Sequence, residues 1–223
     1  PPFYPDLPNM AGMDLGTDNI AAIACTDGSS VVYKGGAILS ANQFFAKQKA
    51  SAVSILTKGK KHRHASSAFL NDLSLKHDCF LKDQMHKLST AIVRYCIAHR
   101  IGILVVGTNR LWKQHASMSK ENNQKFVSIP HEKLRWMISY KALIAGIEVI
   151  WQEESYTSKA SFWDKDDIPI YNNDNPQSYT FSGKRIHRGM YQCLNGKCLN
   201  ADVNGALNIL RKSNVVSLVG LYS

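Results

Sequence analysis

Residues 148–159 read EVIWQEESYTSK. With Ile147 in front, IEVIW has the apolar, β-branched and aromatic composition of an interior strand. It ends on two adjacent acids, Glu153 and Glu154, and then on SYTSK. Successive strand residues face opposite sides of a sheet, so only one of the two glutamates can point into a site formed at this strand end. Why a basic chain should end a buried strand on two carboxylates is the question that decides both fold and function.

Working outward, IGILVVG (101–107) is a second buried strand without polar alternation, as in a sheet covered on both faces. TNRLWKQHASMSKENNQKFVSIP (108–130) joins the two as a polar, basic connection, and Pro130 opens a helix running to about Ala145. Upstream, residues 66–99 carry Leu81, Met85, Leu88, Ile92 and Cys96 at steps of three and four, one face of a long helix. Ser40 to about Thr57 reads as another helix. MAGMDLGTDNIAAIACTDG (10–28) holds two short strands around DLGTDN, and SSVVYKGGAI (29–38) a third, which should form an antiparallel meander. Downstream, residues 155–199 are rich in Asn, Asp, Gly, Ser and Pro, with CLNGKC (193–198) reading as a hairpin around an Asn-Gly turn. NADVNGALNILRK (200–212) closes with a helix. The expected architecture is α/β: a mixed five-stranded sheet, its first three strands antiparallel, helices on both faces, and a hairpin-rich insertion.

The formal net charge is +10, from 27 basic and 17 acidic residues. The bases cluster in KGKKHRHASS (58–67) and GKRIHRG (183–189). Such a surplus favours polyanionic partners, nucleic acid first. His62, His64 and His77 are too scattered for a metal site. No run of about 18 apolar residues is present, so no membrane span and no membrane partner are expected. PPFYPDLPNM (1–10) lacks the basic and apolar regions of a signal peptide and reads as a Pro-rich linker, as in a fragment or processed piece. Five cysteines without framework spacing point to reduced thiols.

Three acids stand at element ends. Asp14 ends the first strand, and Gly16 lets the chain turn beside it. Asp202 opens the last helix, where the dipole favours an acid for structural reasons alone. The third comes from the Glu153-Glu154 pair. Converging carboxylates repel unless divalent cations lie between them. Mg2+ prefers oxygen ligands, held by few carboxylates plus substrate phosphate. Two such ions about 4 Å apart activate water and stabilise the leaving oxygen of a phosphodiester.

GMDLGTDNIAAIA (12–24), SYTSK (155–159), RGMYQC (188–193) and NADVNGALNILRK (200–212), in that order, resemble the RuvC nuclease domain of the TnpB proteins, the OrfB-type, transposon-encoded, RNA-guided endonucleases related to type V CRISPR nucleases. The resemblance runs from Met10 to Lys212. It implies an RNase H-like fold and an Asp-Glu-Asp triad using Mg2+, for which Mn2+ may substitute. The first Asp falls on Asp14 and the last on Asp202. The family usually ends its fourth strand on Glu, and here Gly107 stands in that place. Some relatives, the Fanzor proteins among them, carry the glutamate on the following strand before the TSK segment. On that pattern Glu154 is the ligand, with Glu153 as the fallback. The family's insertion commonly holds two CxxC pairs. Here Cys193, Cys198 and His187 fall short of four zinc ligands, so no structural zinc is expected. Packing by Phe162, Trp163, Tyr179 and Tyr191 and the Asn195-Gly196 turn should hold the insertion together. Stacking on bases is the other use of those aromatics.

The resemblance divides the chain into a linker (1–9), a RuvC-like nuclease domain (10–154 and 200–214), an inserted, degenerate zinc-ribbon-like subdomain for target nucleic acid (155–199) and a tail (215–223). Asn109, Arg110, Lys113 and Gln114 should emerge at the same sheet end as the acids and hold a substrate strand. Lys184, Arg185, His187 and Arg188 should track a nucleic-acid backbone, with binding that weakens as salt rises. The expected activity is Mg2+-dependent DNA cleavage by a two-metal mechanism. The expected partners are a DNA target strand and, in the full-length protein, a guide RNA. An isolated domain should cut single strands weakly and without guidance. The alternatives are an inactive nucleic-acid-binding relative and a strand-transferring transposase on the same fold. The compartment implied is the cytoplasm and nucleoid in a prokaryote, or the nucleus in a eukaryote.

Overall fold

The structure is a computed structural model, which describes residues 7–59, 65–108, 129–171, 177–218 and 221. Three strands open it: β1 (Asn9–Leu15), β2 (Asn19–Cys25) and β3 (Ser30–Lys34). Then come α1 (Gly36–Leu56), α2 (Ala68–Ala98), β4 (Ile101–Thr108), α3 (His131–Ile144) and β5 (Glu148–Glu153). Three short strands follow, β6 (Lys184–His187), β7 (Met190–Gln192) and β8 (Cys198–Asn200), before α4 (Ala201–Ser213).

The larger sheet has the order β3-β2-β1-β4-β5. The meander β1–β2–β3 is antiparallel, and β4 runs parallel to both β1 and β5. The mixed five-stranded sheet is thus as the sequence predicts. Helix α1 starts at Gly36, earlier than the expected Ser40, and β3 stops at Lys34, so GGAI belongs to the helix. The pair Gly35-Gly36 hides that start, because its cap is Gly35, with no side chain to signal it.

Alternation along the strands sorts two cores. Ala11, Met13, Ile23, Leu104 and Val106 face α2 and α3, where Met85, Ile92, Leu134, Met137 and Ile138 are fully buried. Ala24 and Val105, with Ile150 beside them, face α4 and meet Ala206, Ile209 and Leu210. Burying each of the larger of these side chains contributes about 1.5–3 kcal/mol. Helix α4 lies close on the sheet because β1 carries Gly12 there. A methyl at Gly12 would collide with the Ala206 carbonyl and stand 2.9 Å from Leu210 Cβ.

Polar contacts fix the outer elements. Asp27, in the β2–β3 turn, accepts from the Ser29 backbone N–H at 2.8 Å and meets His99 Nδ1 at the end of α2 at 2.8 Å. Lys141 of α3 donates to the His86 carbonyl, Ser89 Oγ and Thr90 Oγ1 of α2 at 2.7–2.8 Å. In the insertion, β6–β7–β8 form a small antiparallel sheet, and Gly196 takes a positive φ in the turn between β7 and β8. Phe162 and Tyr191 are buried there, as expected, whereas Tyr179 is exposed and belongs to no core. Cys193 and Cys198 are free thiols. Among the described residues no helix is long and apolar enough to cross a membrane.

Candidate active site

The β1–β4 register pairs Met13 with Val106, which sets Asp14 alongside Gly107. The β4–β5 register pairs Gly107 with Gln152 and Thr108 with Glu153. By the two-residue period, Asp14, Gly107 and Glu154 turn to the α4 side of the sheet. Strand β4 separates β5 from β1, so a glutamate on β5 has a strand to cross before it reaches Asp14. Gly107 is where it crosses. A methyl built on Gly107 would collide with Glu154 Oε2 and lie 2.7 Å from Ile209 Cδ1. The Glu154 backbone N–H donates to the Thr108 carbonyl at 3.2 Å, which continues the ladder one residue past the strand.

Asp14 meets α4 at a second glycine. A methyl on Gly205 would stand 2.8 Å from Asp14 Oδ2. Glycine inside a helix costs about 1 kcal/mol relative to alanine, and its use here is the room it leaves for a carboxylate. Asp202 sits in the first turn of the same helix. Asn200 caps that helix, its side-chain oxygen accepting from the backbone N–H groups of Asp202 and Val203. Asn19 Nδ2 donates to Asp202 Oδ2 at 2.5 Å, and Arg185 Nη2 lies 3.4 Å from Asp202 Oδ1. Arg188 pairs with Asp18, so two arginines of the β6–β7 hairpin reach the loop and helix that carry the acids.

Asp14 feels both of the other acids. Burial pushes Asp14 up to about 8, with the charges of Glu154 and Asp202 adding to it and Arg185 opposing. Burial pushes Glu154 up to about 7, moderated by the Arg135 guanidinium. The charge of Glu154 resists the ionisation of Asp14. Arg135 also donates to the Gly107 carbonyl at 3.4 Å and to Glu132 at 2.6 Å.

Glu153 has a different environment. It accepts from Lys212 Nζ at 2.6 Å, from the Ser155 N–H at 2.6 Å and from the Ser155 hydroxyl. Partial burial works against its charge, but these hydrogen bonds hold it below the ordinary carboxylate range. Lys212 is spent on this role, since it also donates to the Ser155 and Pro169 carbonyls.

The donor chemistry suits a hard divalent cation: carboxylates whose ionisation burial opposes, with neighbouring charge adding to it at Asp14, a cost that a cation would relieve. Among the described residues no three His, Cys, Asp or Glu side chains stand close enough together to hold a metal ion as they are placed here. Asp202 is engaged instead by Asn19 and Arg185.

Lys184, Arg185, His187 and Arg188 are exposed on β6 and the turn after it. Asn109, Arg110, Lys113 and Gln114 lie outside the described residues, as do Lys60 to His64 of the first basic cluster. The sequence reading passed over Gly205, Asn19, Arg135 and two buried asparagines. Asn204 accepts from the Phe162 N–H at 3.1 Å and donates to the Ala160 carbonyl at 2.8 Å; Asn208 donates to the Thr157 and Ala160 carbonyls at 2.9 and 2.7 Å. Together they fasten α4 to the segment that follows Glu154. Two asparagines four apart on the apolar stripe of a helix, with a glycine between them, were the available signal.

Comparison with known proteins agrees with this fold. Residues 5–113 match the family OrfB_IS605, described as a probable transposase, and residues 131–209 match the Cas12f1-like TNB domain. The TnpB-like protein ORF457 of Acidianus two-tailed virus is 26% identical over 210 residues, which cover 92% of this chain and 42% of that protein. The chain thus spans less than half of this curated relative. A cryo-EM structure of a Cas12f1–sgRNA–target DNA complex superposes with a TM-score of 0.64 at 19% identity, covering 96% of this chain and 52% of that one. A CRISPR-Cas12f ternary complex does so with a TM-score of 0.60 at 17% identity, covering 97% and 41%. The sheet is an RNase H-like α/β fold, and the chain is similar along most of its length to TnpB-like, OrfB-type proteins.

Proposed function

We propose that this chain is the metal-dependent DNA-cleaving domain of a transposon-associated, RNA-guided nuclease. The observation that carries the reading is the glycine gap at Gly107, through which Glu154 reaches the electrostatic field of Asp14. Acids whose ionisation burial opposes cluster at functional sites, which supports the reading. Asp14, Glu154 and Asp202 would ligate Mg2+, or Mn2+ in its place, with Glu153 retained by Lys212 in a structural role. When bound, two such ions would supply an activated water and charge stabilisation for in-line displacement at a phosphodiester. The protein's own part is to hold Asp14 against Gly205, to orient Asp202 through Asn19, and to keep Glu154 on the α4 side through the Asn204 and Asn208 anchors. Arg185 and Arg188, released from Asp202 and Asp18, would take phosphates of the substrate strand.

The partners proposed are a DNA strand for the site and a guide RNA for the whole protein. They are supported by the Cas12f1 relative, whose structure is a complex with sgRNA and target DNA. The test is cleavage of end-labelled single-stranded DNA with Mg2+ and with EDTA, beside an Asp14→Ala variant. Cleavage that needs Mg2+ and disappears in the variant is the expected result. Cleavage that survives Asp14→Ala contradicts it. The transposase description of the OrfB match supports a second reading, strand transfer at transposon ends. Joined rather than cut products would identify it.

A further inference from the structure

Two residues after Glu154 the chain makes a turn that a tyrosine ordinarily avoids. Tyr156 has φ +62°, in the left-handed region, where a residue with a Cβ pays about 1–2 kcal/mol. Its carbonyl accepts from both the Lys159 and Ala160 N–H groups at 2.9 Å, so the conformation is fixed. Strain of this kind is held where it places something useful. What it places is a ring, surrounded by Tyr179 at 5.1 Å, Phe181 at 6.1 Å and Tyr171 at 6.5 Å between centroids.

This cluster is not core. Phe162 and Tyr191 nearby are fully buried, while Tyr179 stays 39% exposed and no member of the group enters a buried cluster. Cations flank it. Lys159 Nζ stands 5.9 Å from the Tyr156 centroid, and Lys184 shares with Phe181 the walls of an open cleft of about 370 Å³. An exposed Tyr179 and half-buried Tyr156 and Phe181 beside cations, two residues from a candidate metal ligand, match single-stranded nucleic acid: bases to stack, phosphates to pair with the lysines. Duplex DNA offers no base faces.

We propose that Tyr156, Tyr179 and Phe181 form a stacking platform for unpaired bases of the strand presented to Glu154, an inference that rests on the nuclease reading for the strand's purpose but not for its binding. The platform is indifferent to sequence, because every base has a π-face.

The test compares the affinity of this chain for a fluorescein-labelled oligothymidine and for an abasic deoxyribose-phosphate strand of equal length and charge, both in EDTA so that nothing is cut. The base-bearing strand should bind about tenfold more tightly or better, as base–aromatic stacking requires. Tyr179→Ala and Tyr156→Gly, the second compatible with the positive φ, should shrink that ratio and leave abasic binding unchanged; Tyr156→Phe should preserve it. Equal wild-type affinity for the two strands overturns the proposal, as does equal weakening of both strands in the variants. A retained base preference with no Mg2+-dependent cleavage supports the platform and overturns the nuclease reading alone.

Discussion

Gly107 on β4 and the carboxylate of Glu154 at the end of β5 share one space: a side chain on the first would displace the second. Gly107 leaves a gap on the fourth strand, and the carboxylate from the end of the neighbouring strand occupies it. Gly107→Ala tests the relationship. The added methyl meets Glu154 Oε2 and Ile209 Cδ1, and overpacking of this kind costs about 1–3 kcal/mol. A thermal melt should show that loss, and cleavage should fall further than stability does, because the displaced group is the acid. Unchanged cleavage in Gly107→Ala would mean that Glu154 needs no gap.

The two adjacent glutamates should separate cleanly. Glu154→Gln keeps shape and removes charge from the site, and cleavage should be lost by at least about a hundredfold, the scale of a transition-state electrostatic contact. Glu153→Gln weakens the contact with Lys212, whose side chain is 6% exposed. It should lower stability by about 1–2 kcal/mol and leave most of the cleavage. Parallel rate and denaturation measurements on the two variants decide the assignment, and the reverse pattern would make Glu153 the ligand.

Metal-free stability should fall as pH rises. Folded Glu154 and Asp14 keep their protons up to about 7 and about 8, whereas in the unfolded chain both are ionised above about 4–5. Between those limits the folded state binds more protons, so the slope of stability against pH is negative. Chemical denaturation in EDTA from pH 5 to 8.5 should show the decline. Saturating Mg2+ should reverse it, and Asp14→Asn should flatten it. A flat wild-type profile in EDTA would show that burial does not raise the two acids.

Asn204→Ala removes the acceptor of the buried Phe162 N–H. An orphaned buried donor costs about 1–3 kcal/mol. Denaturation should register that loss, and cleavage by the folded fraction should fall as well, because Asn204 ties α4 to the segment beyond Glu154. A stability loss without any change in cleavage would limit Asn204 to packing.

Much of this was legible in the sequence. The run IGILVVG announced a strand buried on both faces, and Pro130 and the periodic spacing of α2 announced helices, because such signals are local and periodic. IEVIW read as an interior strand, but β5 is the edge of the sheet, with Trp151 44% exposed, because composition cannot tell an edge from a centre. Asp14, Glu154 and Asp202 were legible as acids at element ends. What was not legible depends on register. Strand order decides that β4 stands between β5 and β1, and only then does Gly107 become a passage rather than a lost ligand. Gly205 and Gly12 read as weak points in their elements until α4 is laid on the sheet. Tyr179 read as core because composition cannot tell a buried aromatic from an exposed one. The start of α1 was missed because a glycine caps it.

The account turns on which side chain crosses β4 to complete the acid site. Anomalous diffraction from Mn2+-soaked crystals measures that most directly. Manganese ligated by Asp14, Glu154 and Asp202, with Glu153 still on Lys212, is the predicted result. Manganese bound through Glu153, or bound with no carboxylate from β5 or its end, would contradict it.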